Sequence, residues 1–83
     1  QMGEKMMALL IDTHTGYPID LFWKEQDEEK VMETNRELIK EKSHARIVPM
    51  EVIKAIQSQV DTWNQYLERI REWRINYDRA TSE

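Results

Sequence analysis

The sequence predicts an α+β chain in which helix outweighs strand. Three observations carry that expectation. A two-sided apolar run, Met6–Ile11, leads into a turn-forming segment; a charged stretch rich in helix formers follows; and a C-terminal third free of Gly and Pro holds a three-four apolar repeat.

The stretch 5–24 reads as a β-hairpin. Met6, Ala8 and Leu10 alternate with Met7, Leu9 and Ile11, so both faces of the first strand are apolar, as in a strand covered on both sides. Asp12-Thr13-His14-Thr15-Gly16 has turn chemistry: Gly16 tolerates positive φ, and Asp12 and the threonines can bond local backbone. Tyr17, Ile19, Leu21 and Trp23 then alternate with Pro18, Asp20, Phe22 and Lys24, the period-two pattern of a strand. Pro18 has no N–H and belongs at the strand's start or edge. A competing reading, in which Asp20 caps a helix starting at Leu21, is less favoured by this alternation.

Asp27, Glu28 and Glu29 place negative charge where a helix begins, and the helix is expected over 27–43. Val31, Met32, Leu38 and Ile39, with Asn35 among them, form one narrow apolar stripe. Residues 44–48 form a connector with room for a short third strand at Ala45–Val48. Pro49 disfavours helix at Val48 and suits the first turn of a new one.

That last helix is expected to run without interruption from 49 to 80. Ile53, Ile56, Val60, Trp63, Leu67, Ile70 and Tyr77 follow an a/d heptad spacing, with Arg74 in the one slot that breaks it. Val52, Tyr66 and Trp73 fall on a seven-residue repeat beside the seam and widen it. About thirty helical residues span roughly 45 Å, whereas an 83-residue globule has a radius of gyration of about 12 Å. A straight helix would overhang its own domain. The expected cover is a second chain, so Ile53, Ile56, Val60, Trp63, Tyr66, Leu67, Ile70, Trp73 and Tyr77 are the expected interface. The competing possibility is a monomer in which the last helix folds back onto the hairpin and the first helix.

Length and composition bound the function. Eighty-three residues make one domain (1–83, with 1–4 expected outside its ordered part) near the lower limit for a self-sufficient core. There is no cysteine for a disulfide or thiolate site, which fits a cytoplasmic protein. No apolar run approaches a bilayer span, so no membrane partner is expected. With net charge −4 and interleaved signs, a nucleic-acid partner is not expected either.

Each candidate site has a plainer explanation. Asp12 and His14, with His44 further on, could begin a metal or general-base site, but turns favour these residues and no further ligands converge in sequence. Glu25, Glu29, Glu33, Glu37 and Glu41 make an acidic stripe best read as a solvated face. Arg71, Arg74, Trp73 and Tyr77 have the composition of a nucleotide-stacking pocket, and equally that of a protein-binding hot spot. Nothing resembles a phosphate loop or a dinucleotide fingerprint, and no cofactor is expected. The resulting expectation is a non-enzymatic interaction module, a small regulator, inhibitor or assembly factor, that self-associates or docks a protein partner through its long helix. The alternative is an oligomer with Arg/aromatic ligand pockets between subunits.

Overall fold

The computed structural model describes residues 5–19 and 24–81. It is an α+β fold dominated by helix, as the sequence predicts, with strand β1 (Lys5–Asp12), strand β2 (Lys24–Asp27), helix α1 (Glu28–Lys40), strand β3 (Ala45–Pro49), helix α2 (Met50–Gln59) and helix α3 (Trp63–Thr81). The sheet is antiparallel with β1 central, flanked by β2 and β3.

The hairpin turn closes as its residues suggest. Gly16 sits at φ 85°. Its N–H donates to the Asp12 carbonyl at 2.7 Å, and the Asp12 N–H donates to the Tyr17 carbonyl at 3.0 Å. The Asp12 carboxylate accepts the His14 backbone N–H at 2.9 Å. The returning arm bridges β1 at Ile11↔Pro18 and pairs again through Lys24–Asp27 opposite Ala8–Lys5. Of the second strand expected over 17–24, residues 20–23 lie outside the described residues, residues 17–19 make only the single bridge at Pro18, and the paired strand sits later than expected, at Lys24–Asp27. The expected connector strand is present as β3, in register Leu9↔Val48 and Leu10↔Ile47 against β1.

Both faces of β1 are covered, which accounts for its unbroken apolar run. On one face Ala8, Val31 and Ile47 pack together with Met6 and Leu10, under α1. On the other, Leu9, Ile11 and Val48 meet Ile53 and Ile56 of α2 and Tyr66 and Ile70 of α3. The chain is therefore three layers: helix, sheet, and a helix pair.

Helix α1 begins after Asp27, with Glu28 and Glu29 in its first turn, and ends at Lys40, three residues short of the expected 43. The Ser43 N–H donates to the Leu38 carbonyl and the Lys42 N–H to the Ile39 carbonyl, both at 3.0 Å. This is a Schellman closure. The position that usually holds Gly holds Lys42, at φ 61°. A left-handed non-Gly residue costs about 1–2 kcal/mol, while added unfolded-state freedom takes back about 0.4–1 kcal/mol from a glycine. Lys42→Gly is therefore expected to stabilise the chain by about 0.5 kcal/mol, read as a higher urea midpoint at unchanged slope.

The expected single helix over 49–80 is two helices. Pro49 does precede a helix start, but after Gln59 the backbone turns extended at Val60 (φ −130°, ψ 156°). A capping box restarts it. Thr62 Oγ1 accepts the Gln65 N–H at 3.2 Å, while Gln65 Oε1 accepts the N–H groups of Asp61 and Thr62 at 2.7 and 3.3 Å. The elbow lets residues from both halves of the seam pack on one sheet face, and the described chain has a radius of gyration of 12.5 Å and a longest extent of 40 Å.

Candidate interaction cleft at the helix elbow

The nine seam residues divide by burial. Ile53, Ile56, Tyr66 and Ile70 are buried within the chain, and Ile70 has no exposed surface. Val60, Leu67, Trp73 and Tyr77 are half-buried, the first three of them against the same core. Only Trp63 is substantially open, at 46%. The seam was expected to face a second chain; its larger part faces the chain's own sheet, because the elbow folds it inward. Burial also raises the Tyr66 phenol above its ordinary 10.0. A raised folded-state value favours the neutral form, so its stabilising contribution is complete below pH 10 and is lost as pH rises through the folded value. Alkaline unfolding should thus steepen above pH 10 in the unaltered chain and be shallower in Tyr66→Phe, measured by thermal melts across pH 8–12.

The four residues considered for a ligand pocket are engaged internally. Trp73 and Tyr77 stack, ring centroids 4.9 Å apart. The Tyr77 hydroxyl accepts from Asn35 Nδ2 at 3.1 Å. Arg74 Nη1 lies 3.5 Å from Asp78 Oδ2, and Arg71 Nη2 donates to the His14 carbonyl at 2.9 Å. None of the four lines any of the three clefts described below.

His14 and His44 pack ring against ring with centroids 5.1 Å apart. The Asp12 carboxylate accepts the His14 backbone N–H and so serves the turn. Among the described residues no three His, Cys, Asp or Glu side chains converge as a metal ion would need. All five glutamates of the acidic stripe are exposed.

Two buried polar assemblies were not legible beforehand. Asn35, fully buried on α1, bonds both ways to the free edge of β3. Its Oδ1 accepts the Ile47 N–H at 2.8 Å and its Nδ2 donates to the Ile47 carbonyl at 3.1 Å. It thus stands in for a neighbouring strand and covers an edge that would otherwise be unpaired. Arg46 of β3, 2% exposed, grips Asp78 of α3 through Nε–Oδ1 at 3.0 Å and Nη2–Oδ2 at 2.7 Å. Its Nη1 donates to the Ser43 and Ala45 carbonyls.

Three clefts stand out among the described residues. A charged one lies along α1 at Asp27, Glu29, Lys30, Glu33 and Arg36. A larger groove of about 560 Å³, lined in part by Met6, Met7 and Met50, carries Lys5, Glu28, Glu51 and Lys54, charges of both signs that favour water. The third, about 370 Å³, lies between the hairpin turn and the elbow. Leu9, Ile11, Ile53 and Val60 supply aliphatic wall, Trp63 and Tyr66 aromatic wall, and Asp61 is the one charged lining residue.

Aromatic rings mark this third cleft. Tyr17 packs on Trp63 at 4.9 Å and Trp63 on Tyr66 at 5.1 Å, the two pairs tilted by 32° and 36°. Tyr17 is 64% exposed, and Ile19, two residues along, 56%. Gly16 is what allows the Trp63 ring so close. A Cβ there would meet Trp63 Cζ2 at 2.9 Å, on a backbone already at positive φ. The signals for this site were in the sequence: Gly16-Tyr17-Pro18 in the turn, and the Thr62-Trp63-Asn64-Gln65 capping pattern. The heptad repeat running across 60–62 masked them. No family model, no curated protein and no solved structure matches this chain, so its function rests on its own residues.

Proposed function

We propose that the chain is a small non-enzymatic interaction module whose elbow cleft receives an Arg- or Lys-bearing segment of a partner protein. The observation that carries this reading is the Tyr17–Trp63–Tyr66 aromatic ladder, exposed at Tyr17 and Trp63, beside a cleft with a single acidic residue, Asp61. A long cationic side chain suits that lining in each part. Its methylene stem can lie along Ile11, Ile53 and Val60, and its head can meet the carboxylate and the ring faces. Acid–base catalysis would call for a second positioned titrating group, and a binding role does not. No helix among the described residues is long and apolar enough to cross a membrane.

The test uses short peptides with a central Arg or Lys, compared with Leu-centred and Glu-centred peptides of equal length. Binding is measured by interferometry to the unaltered chain, to Trp63→Ala and to Asp61→Asn. Basic peptides should bind best, and each substitution should weaken them by roughly fivefold while leaving the circular dichroism unchanged. Added salt should weaken binding further. Equal binding of all three peptide classes, or indifference to Trp63→Ala, would refute the cleft as the docking site.

A further inference from the structure

We infer that α3 exchanges between two copies of this chain: the elbow opens, α2 and α3 become one helix, and each α3 lies on the other copy's sheet. This stands apart from the elbow cleft and depends on different groups.

Four observations lead there. First, nothing in the sequence forbids helix at 60–62. From Met50 onward there is neither Gly nor Pro, and the heptad seam crosses the elbow without a phase change. Second, the elbow is held by exposed side-chain bonds. They are the Thr62–Gln65 capping box and the Arg69 Nη1–Gln59 Oε1 contact at 2.6 Å. Opening would replace the capping bonds with continuous backbone bonds, because the last carbonyls of α2 and the first N–H groups of α3 would then find partners in each other.

Third, α3 is fastened by matched groups: Ile70 and Tyr66 in the core, Tyr77 to Asn35, Asp78 to Arg46, and Arg71 to the His14 carbonyl. A second copy's α3 carries every one of these groups and can remake each contact. The closed chain and the exchanged pair then share nearly the same contacts and differ chiefly at the elbow and in association entropy. Fourth, Val60 before the elbow and Leu67 and Trp73 after it are half-buried against the same core cluster, so one apolar face runs on through the elbow. The partner is therefore a second copy, and the docking surface is the sheet face that α3 now covers.

Elbow variants and a charge exchange test this with the full chain. Thr62→Ala with Gln65→Ala removes the capping box and is expected to raise the dimer fraction in light scattering. Asp61→Gly with Thr62→Gly disfavours the straight helix while leaving a Gly-tolerant cap, and is expected to lower it. Arg46→Asp and Asp78→Arg each set like charges against one another in a closed chain. Mixed, denatured and refolded together, they match only across copies, so a heterodimer should form and melt above either variant alone. Should the two charge variants fail to fold even together, the elbow pair decides. A single-chain mass for the unaltered protein and both elbow variants, at every concentration up to the solubility limit, would overturn the inference. So would a refolded charge pair that stays monomeric.

Discussion

Asp78→Ala is expected to bring the chain close to unfolding under mild conditions. Arg46 is almost wholly buried, and both of its contacts to a counter-charge are the two oxygens of Asp78. A guanidinium cannot shed its proton at accessible pH, so removing the carboxylate leaves a buried cation with only the Ser43 and Ala45 carbonyls. Breaking a buried pair from one side costs about 3–5 kcal/mol. Asp78 keeps some solvent contact, its side chain being 23% exposed, which places the expected loss near the lower end of that range. A small domain has about 5–15 kcal/mol in total, and one of this length sits towards the bottom of it.

The companion variant decides whether the pair stabilises or merely avoids a penalty. Arg46→Met with Asp78→Leu removes both charges and keeps apolar volume, and should recover most of the loss. Arg74→Met, by contrast, should cost under about 1 kcal/mol, because its ion pair is a partly exposed one four residues apart on a single helix. Urea midpoints for the four proteins provide the measurement. An Asp78→Ala midpoint equal to that of Arg74→Met would show that Arg46 is not held as described.

The second large effect belongs to Asn35→Leu. The substitution removes the groups that satisfy the Ile47 N–H and carbonyl and leaves the Tyr77 hydroxyl without its donor. Buried backbone groups left unpaired cost about 1–3 kcal/mol each, so the expected loss is about 3 kcal/mol even though leucine adds apolar surface. Asn35→Asp separates the two halves of the contact. Its carboxylate can still accept from the Ile47 N–H but faces the Ile47 carbonyl without a donor and buries a charge with no counter-ion, so at neutral pH the loss should be at least as large as for leucine. Tyr77→Phe removes one hydroxyl and should cost about 1 kcal/mol. Amide exchange at Ile47 reads the same contact without a melt. Protection there should collapse in Asn35→Leu and persist in Tyr77→Phe. A well-protected Ile47 amide in the leucine variant would mean another group pairs it.

Together these two assemblies explain how a chain without disulfides positions a long terminal helix. Apolar packing at Tyr66 and Ile70 holds the first half of α3. The second half, where the apolar seam is interrupted at Arg74, is tied by Asp78 to β3 and by Tyr77 to α1. Non-directional burial chooses the face; the polar contacts choose the rotation and register of the helix upon it.

Local chemistry was enough to write most elements of this fold from the residues. Gly16 and Asp12 make their turn through bonds within five residues, Asp27 to Glu29 start α1, and Pro49 precedes α2 whatever surrounds them. The unbroken apolar run of β1 already required cover on both faces. Other features depend on groups far apart in the chain. Asn35 reads as a flaw in an apolar stripe until Ile47 lies beside it, and Arg46 as an ordinary surface charge until Asp78 arrives 32 residues later. The break at Val60 belongs to the same kind. The Thr62–Gln65 capping box marks where the chain can restart, but such a cap is worth only about 1 kcal/mol, so packing on the sheet face beneath is needed to hold the bend. Periodicity reveals that the seam must be buried; it carries no information about which surface buries it, because hydrophobic attraction has no address.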